Sequence, residues 1–341
     1  MSTQSNHIKT FLTKLLIFSL PFLFFISLYV YFDPFSVIYS YSDYNNGVLT
    51  APNRDVVTSE VFINNYPKYH YKSFILGNSK TLAFQTKDWA AYINDTVPFH
   101  FDAYLESLYG LSTKIKYLDK INDSLKNVLI IGDSYLFSAV KNDNSPLYIK
   151  DYKIDGSSFI DYHLVFLKNF FSQLYFIPYF DYKLFHTYRS YMKITLALYQ
   201  PYFSPINNDV YYKPDLVKRM LKDSVGYYKE FSPFFYSRPD STIYEPKVIE
   251  GEQLKMLMDI KNIFIKHKTS YKIIISPSYS QKYFNQADLK ILKEIFGDNN
   301  VYDFSGKNDY TNNIGNYYDD THYKPFIGRL ILKRVYTANT K

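Results

Sequence analysis

The chain has no cysteine among its 341 residues. That excludes disulfides, a cysteine nucleophile and thiolate metal sites. It does not place the protein inside a cell, because exported chains also manage without cysteine. None of the seven histidines stands in an H-x-x-x-H or H-E-x-x-H arrangement, so no metal site is readable. A long Lys/Arg run is missing too, although the net charge is +7. Nucleic-acid binding calls for a clustered basic stripe, and the basic residues here are scattered. A diffuse basic exterior suits an anionic membrane or wall polymer better.

What the chain has instead is apolar and aromatic. Hydrophobic residues make up 47%, with 38 Tyr and 29 Phe. Two readings fit that excess: an AT-rich gene, or rings that stack on the apolar faces of sugars. The length suits one large α/β domain with insertions. Leu15–Phe32 is a run without charge, and at 1.5 Å per residue it spans roughly 27 Å, near the hydrocarbon thickness of a bilayer. It ends in Tyr-Val-Tyr-Phe-Asp-Pro, with no A-x-A-like cleavage site, so an uncleaved anchor is expected rather than a signal peptide. Pro21 kinks such a helix mildly. Lys9 and Lys14 precede the run and Asp33 follows it, which orients residues 1–14 as a cytoplasmic tail and everything after the anchor as outside. Tyr29, Tyr31 and Phe32 fit an interfacial aromatic belt.

Residues 33–70 contain Pro34, Asn45-Asn-Gly47, Pro52 and Pro67 and read as an irregular stalk or strap. Short apolar runs at 73–77, 127–132, 271–277 and 300–304 read as strands. Helical patterns cover 81–93, 111–125, 251–267, 287–296 and 325–335. Strands alternating with helices predict a mostly parallel sheet covered on both faces, with a site beyond the carboxyl ends of its strands. Residues 140–250 are aromatic-rich and give no clear strand; 159–176 and 191–198 fit helices. This segment reads as an insertion, either shaping the substrate cleft or purely structural.

Two segments carry candidate chemistry. Ser73-Phe-Ile-Leu-Gly-Asn78-Ser79 sets a serine just past a strand, where its hydroxyl and N–H can face a substrate. Tyr317-Tyr-Asp319-Asp-Thr-His322-Tyr323 supplies an acid three residues before a histidine, which no other histidine in the chain has. In a tight turn Asp319 can hold one imidazole nitrogen and leave the other free as a base. The plain alternatives are a turn serine capping the next helix and an aspartate capping the last one. Gly132-Asp133-Ser134 also follows an apolar strand and makes Ser134 a rival nucleophile.

Together the blocks FILGNSKT and YYDDTHY resemble the SGNH (GDSL-like) hydrolase superfamily over about residues 71–336. The likeness is to membrane-anchored branches that act on envelope polymers as O-acyltransferases or esterases. It implies a three-layer α/β/α, flavodoxin-like sandwich behind the transmembrane helix. It implies Ser79 as nucleophile, His322 as base, Asp319 as orienting acid, and no cofactor. The N–H groups of Ser79 and Gly110 would form the oxyanion hole. The chain departs from the pattern in two places. Asn78 stands where the family usually has Asp. Asp133-Ser134 stands where a G-x-N block supplies another oxyanion donor, so Asp133 or Ser134 replaces it or the donor is lost. Gly110 lies between the two serines, and this order favours Ser79 over Ser134. The substrate implied is an envelope glycan or acylated carbohydrate carrying an acetyl-type group. A multi-pass membrane acyltransferase is the implied source of acyl groups. The competing expectation is a degenerate member that binds or scaffolds a glycan complex.

Overall fold

The computed structural model of the chain describes residues 2–45, 52–121, 124–196, 200–238 and 240–337. Asn46 and Gly47, expected as breakers, lie outside them. In chain order the elements are α1 (Ser2–Phe32), α2 (Arg54–Tyr69), β1 (Ser73–Gly77), α3 (Thr86–Ala90), β2 (Phe99–His100), α4 (Leu108–Ile121) and β3 (Asn127–Gly132). The insertion adds α5 (Tyr152–Asp155), α6 (Phe159–Phe170), α7 (Gln173–Phe185), β4 (Tyr202–Phe203), β5 (Val210–Tyr211), α8 (Pro214–Lys222) and α9 (Ser224–Glu230). The chain closes with α10 (Gly251–His267), β6 (Ser270–Ile275), α11 (Gln286–Phe296), β7 (Val301–Asp303) and α12 (Pro325–Thr337).

The architecture is α/β, with a five-stranded sheet in the order β2-β1-β3-β6-β7 whose pairings are all parallel. Alternate residues along the strands serve two cores. Phe74, Leu76, Val128, Ile130 and Ile273 pack with α2, α4, α10 and α11. Ile75, Leu129, Ile131 and Ile274 pack with Phe84, Trp89 and α12. Each such side chain, fully buried, contributes about 1.5–3 kcal/mol. β1 has β2 on one side and β3 on the other, so the chain reverses its direction across the sheet at the β1/β3 boundary. That boundary is the switch point at which parallel sheets hold ligands.

The segment expected as a stalk is corrected by α2. Asn53 caps that helix, its side chain accepting from the Asp55 and Val56 N–H groups. Val57, Val61 and Phe62 enter the main core. Arg54 and Asp55 are buried in ion-pair networks, so the domain begins well before residue 71. Three helix expectations are also corrected. Residues 81–93 divide into a 3-10 turn (Ser79–Ala83) and α3, because Gln85 between them is extended and its amide bonds to Val210 C=O at 3.1 Å. The helix expected at 159–176 breaks at Phe171–Ser172 into α6 and a longer α7. Only Ser190–Ile194 forms a turn in 191–198, of which 197 and 198 lie outside the described residues. The insertion also holds a small antiparallel ribbon, β4–β5, that was not expected. Finally, α1 is helical from Ser2, so the tail and the anchor are one helix, long and apolar enough to cross a membrane.

Between α2 and α4 lies a buried ionic cluster. Lys114 Nζ contacts Asp55 Oδ2 at 2.8 Å and Glu106 Oε2 at 2.6 Å, and Lys150 Nζ contacts Glu106 Oε1 at 2.6 Å. Asp151, whose N–H donates to Asp55 Oδ1, has the Asp55 and Glu60 carboxylates near it as well as the Lys153 ammonium. Burial first, then the charges of Asp55 and Glu60, push its carboxyl up to about 7, against the pull of the Lys153 N–H. The native state therefore favours the protonated acid. That stabilisation is complete below the unfolded value of about 4 and is lost as pH rises through about 7. Asp151→Asn keeps the capping oxygen and mimics the protonated form. Its melting temperature should match the parent near pH 4 and exceed it at pH 8, by roughly 2–4 °C per kcal/mol recovered. A variant less stable than the parent at pH 8 would show that the carboxylate is needed.

Candidate active site

β1 delivers the site. Its last residue, Gly77, has φ +140°, and a Cβ there would lie 1.8 Å from the Ile131 carbonyl oxygen, so only glycine allows β1 this close to β3. Asn78 then turns the chain: its Oδ1 accepts from the Lys80 N–H at 3.1 Å and its Nδ2 donates to Asp133 Oδ1 at 2.9 Å. An aspartate at 78 would face Asp133 as a second carboxylate; the amide joins the ends of β1 and β3 across the switch point instead. Ser79 follows, half-buried. Among the described residues neither its hydroxyl nor its N–H has a protein partner.

The acid and the histidine arrive on a tight loop. The Tyr318 N–H donates to the His322 carbonyl at 2.8 Å, and Tyr317 and Tyr323 form a bridge. Inside the loop Asp319 Oδ1 accepts from the Thr321 and His322 N–H groups at 2.8 and 2.7 Å. His322 Nδ1 lies 2.9 Å from both carboxylate oxygens, and the Tyr212 hydroxyl donates to Oδ2 at 2.7 Å. Burial would raise the Asp319 carboxyl, but the hydrogen bond and charge of His322, with Tyr212 and the Thr321 N–H, hold it well below the usual carboxylate range. An ionised carboxylate only accepts, so Nδ1 carries the hydrogen, and in the neutral ring it is Nε2 that has the lone pair. Neither Asp319 nor Asp320 caps α12, which starts at Pro325.

Two contacts bring the loops together. Lys80, buried beside Ser79, donates from Nζ to the Thr321 carbonyl at 2.7 Å. Gly328 on α12 lets the helix approach the 79–83 turn, because a Cβ there would lie 2.0 Å from the Ala83 carbonyl oxygen. Ser79, Thr321 and His322 consequently line one cleft of about 520 Å³. The insertion supplies more than half of the lining, including Tyr148, Tyr188, Lys193, Tyr212 and Lys213. It also braces the loop from behind, where Tyr227 and Tyr228 donate to the Tyr318 and Tyr317 carbonyls. Burial lowers the Lys213 ammonium, with Asp319 opposing.

Gly110 does not join this cleft. It sits in the first turn of α4 against Glu106 and Lys150, and its N–H donates to Ser107 Oγ at 3.2 Å. After β2 the cleft is lined by Tyr104 and Leu105, and Leu105 has φ +46° and an N–H that has no acceptor among the described residues. Sequence carried no sign of it, since a leucine in that conformation is uncommon. Lys80 and Tyr212 were missed as well; only the adjacency of Lys80 to Ser79 could have pointed to it. Asp133 is engaged by Asn78. With Ser134 it lines a separate cavity of about 170 Å³ that includes Glu245, Ser276 and Lys282 but no histidine. Comparisons with protein-family models, with curated proteins and with solved structures found no match.

Proposed function

We propose that the chain is a membrane-anchored serine esterase or O-acyltransferase of the SGNH type, built as a three-layer α/β/α sandwich and acting on an envelope glycan. The carrying observation is that Ser79, just past the end of β1, and His322 line one cleft, with Asp319 hydrogen-bonded to His322 Nδ1 behind it. Ser79 Oγ attacks an acyl carbonyl and passes its proton to His322 Nε2. Asp319 stabilises the resulting imidazolium. The N–H groups of Ser79 and Leu105 hold the oxyanion, Leu105 taking the part expected of Gly110. The leaving alcohol takes the proton from His322. Water or a sugar hydroxyl then attacks the acyl-Ser79 ester while His322 takes its proton, the acyl–Oγ bond breaks, and His322 returns that proton to Ser79 Oγ. The tyrosine rings of the cleft suit the apolar faces of a sugar.

The test is an activity-based fluorophosphonate. The parent and Ser134→Ala should label and Ser79→Ala should not. Labelling lost only in Ser134→Ala overturns the choice of serine. A parent that never labels, though folded, supports a glycan-binding scaffold instead. Lys9 and Lys14 set the N-terminus in the cytoplasm. A reporter fused after residue 341 should therefore be active outside the cytoplasm, and activity only inside would reverse the topology.

A further inference from the structure

The α6–α7 hairpin packs on the anchor helix itself. Phe25 of α1 meets the Phe171 and Phe176 rings at 6.1 and 6.0 Å. Tyr29 meets Phe170 at 5.3 Å, and Phe32 meets Tyr179 and Phe180 at 6.1 and 5.7 Å. The order of these contacts gives a direction. α6 descends along α1, the turn at Phe171–Ser172 lies at the level of Phe25, and α7 climbs back to Phe32. Seven helical residues separate Phe25 from Phe32, a drop of about 10 Å.

Phe25 belongs to the charge-free run Leu15–Phe32, so the turn reaches a depth where α1 borders hydrocarbon. The hairpin's composition fits that depth. Residues 169–180 contain no charged side chain. Away from α1 the hairpin exposes Leu174 (47%) and Ile177 (52%) near its tip. In water these would form an apolar patch with nothing over it. The charges stand where a bilayer would put them. Lys183 lies over the Phe32 ring at 6.0 Å, at the end of the span, and Asp181, level with Phe180 and Phe32, is paired with Arg189. Lys168, one turn above the tip, is long enough to reach upward. On the other side of the seam a cavity of about 410 Å³ opens between Ile26 and Val30 of α1 and Ile160, Leu164 and Leu167 of α6, with Glu60, Asp151 and Lys153 also in its lining.

We infer that the α6–α7 hairpin is a second membrane element, dipping about 10 Å into the outer leaflet beside α1 with Leu174 and Ile177 against lipid. The inference rests on α1 spanning the bilayer and is independent of the chemistry assigned to the cleft. A span alone leaves a domain free to tilt; a span plus a hairpin fixes the height and orientation of the cleft above the membrane.

The chain has no native cysteine, so single cysteines can be read cleanly. Leu174→Cys and Ile177→Cys carry a bimane label in the full chain, reconstituted in phosphatidylcholine vesicles. Leu20→Cys in the span and Leu221→Cys on α8 are the references. At 174 and 177, as at 20, nitroxide on the lipid acyl chains should quench the label and aqueous iodide should not; at 221 the pattern should be reversed. Iodide quenching at 174 and 177 with lipid quenching at 20 overturns the hairpin and leaves the anchor. Protection from both quenchers overturns it in favour of a protein covering the face. Iodide quenching at 20 removes the span and the hairpin together.

Discussion

Ser79→Ala is expected to abolish fluorophosphonate labelling, and Asp319→Asn to slow it by about 10⁴-fold with little change in melting temperature. The second value follows from the hydrogen bonds of the loop. Asp319 Oδ1 accepts from two main-chain N–H groups, so an asparagine must set its single oxygen there. Its NH₂ then occupies the Oδ2 position, facing His322 Nδ1 and the Tyr212 hydroxyl. An amide N–H donating to Nδ1 drives the imidazole hydrogen to Nε2, the nitrogen that accepts the Ser79 proton in the proposed reaction. The fold of the loop survives while the base is lost. Tyr212→Phe removes one donor to Asp319 but keeps the carboxylate and the tautomer, so its loss should be far smaller. If Asp319 were only a staple for the loop, Asp319→Asn would lower the melting temperature and leave the labelling rate near the parent's. The measurement is the second-order labelling rate of each variant beside its thermal unfolding.

The parts of this site that sequence could announce are those whose chemistry is local. The runs at 73–77 and 127–132 are strands because each carries a continuous apolar stretch, Phe74–Leu76 and Val128–Ile131, buried on both faces of a parallel sheet. Asp319 and His322 were legible because one short loop contains the whole hydrogen-bonding unit. β2 is only Phe99–His100, too short for any periodicity, and so the residue that follows it into the cleft, Leu105, stayed hidden behind the more familiar glycine at 110. α2 failed for a different reason. Sequence patterns score apolar positions, and the buried face of α2 includes Arg54, Asp55, Thr58, Ser59 and Glu60. Their burial is tolerable only because partners far along the chain neutralise them: Asp102 for Arg54, Lys114 for Asp55 and Lys153 for Glu60. No local window contains those pairs, so the segment read as an irregular stalk or strap. The same holds for Tyr212, whose hydroxyl meets Asp319 across more than a hundred residues.

Arg54→Met is expected to cost about 3–5 kcal/mol of stability, a large share of what a domain has. Arg54 is fully buried, with Nε and Nη2 on Asp102 Oδ1 at 3.0 and 2.7 Å and Nη1 on Asn208 Oδ1 at 2.8 Å. Burial would raise the Asp102 carboxyl, but the Arg54 charge first, with His100 and Lys114, holds it below its ordinary value. Without the guanidinium a carboxylate with no exposed surface loses its main counter-charge, and the Asn208 acceptor loses its donor. A packing effect alone would look different. Arg54 also lies over the Phe203 ring at 4.7 Å, so some of the cost is lost contact that methionine partly restores. The double variant Arg54→Met/Asp102→Asn separates the two. It removes the orphaned charge and keeps an oxygen for the Thr81 hydroxyl, which lies 3.3 Å from Asp102 Oδ2. If the uncompensated charge dominates, the double variant should regain most of the loss in urea unfolding; if packing dominates, it should be no more stable than the single one. Labelling at Ser79 gives the second readout. Thr81 stands two residues from Ser79, and Asp102 is the link from Arg54 to that turn. A domain that truly began at residue 71 would keep its stability and its labelling when Arg54 is changed, so loss of both is the result that makes α2 part of the domain carrying the site.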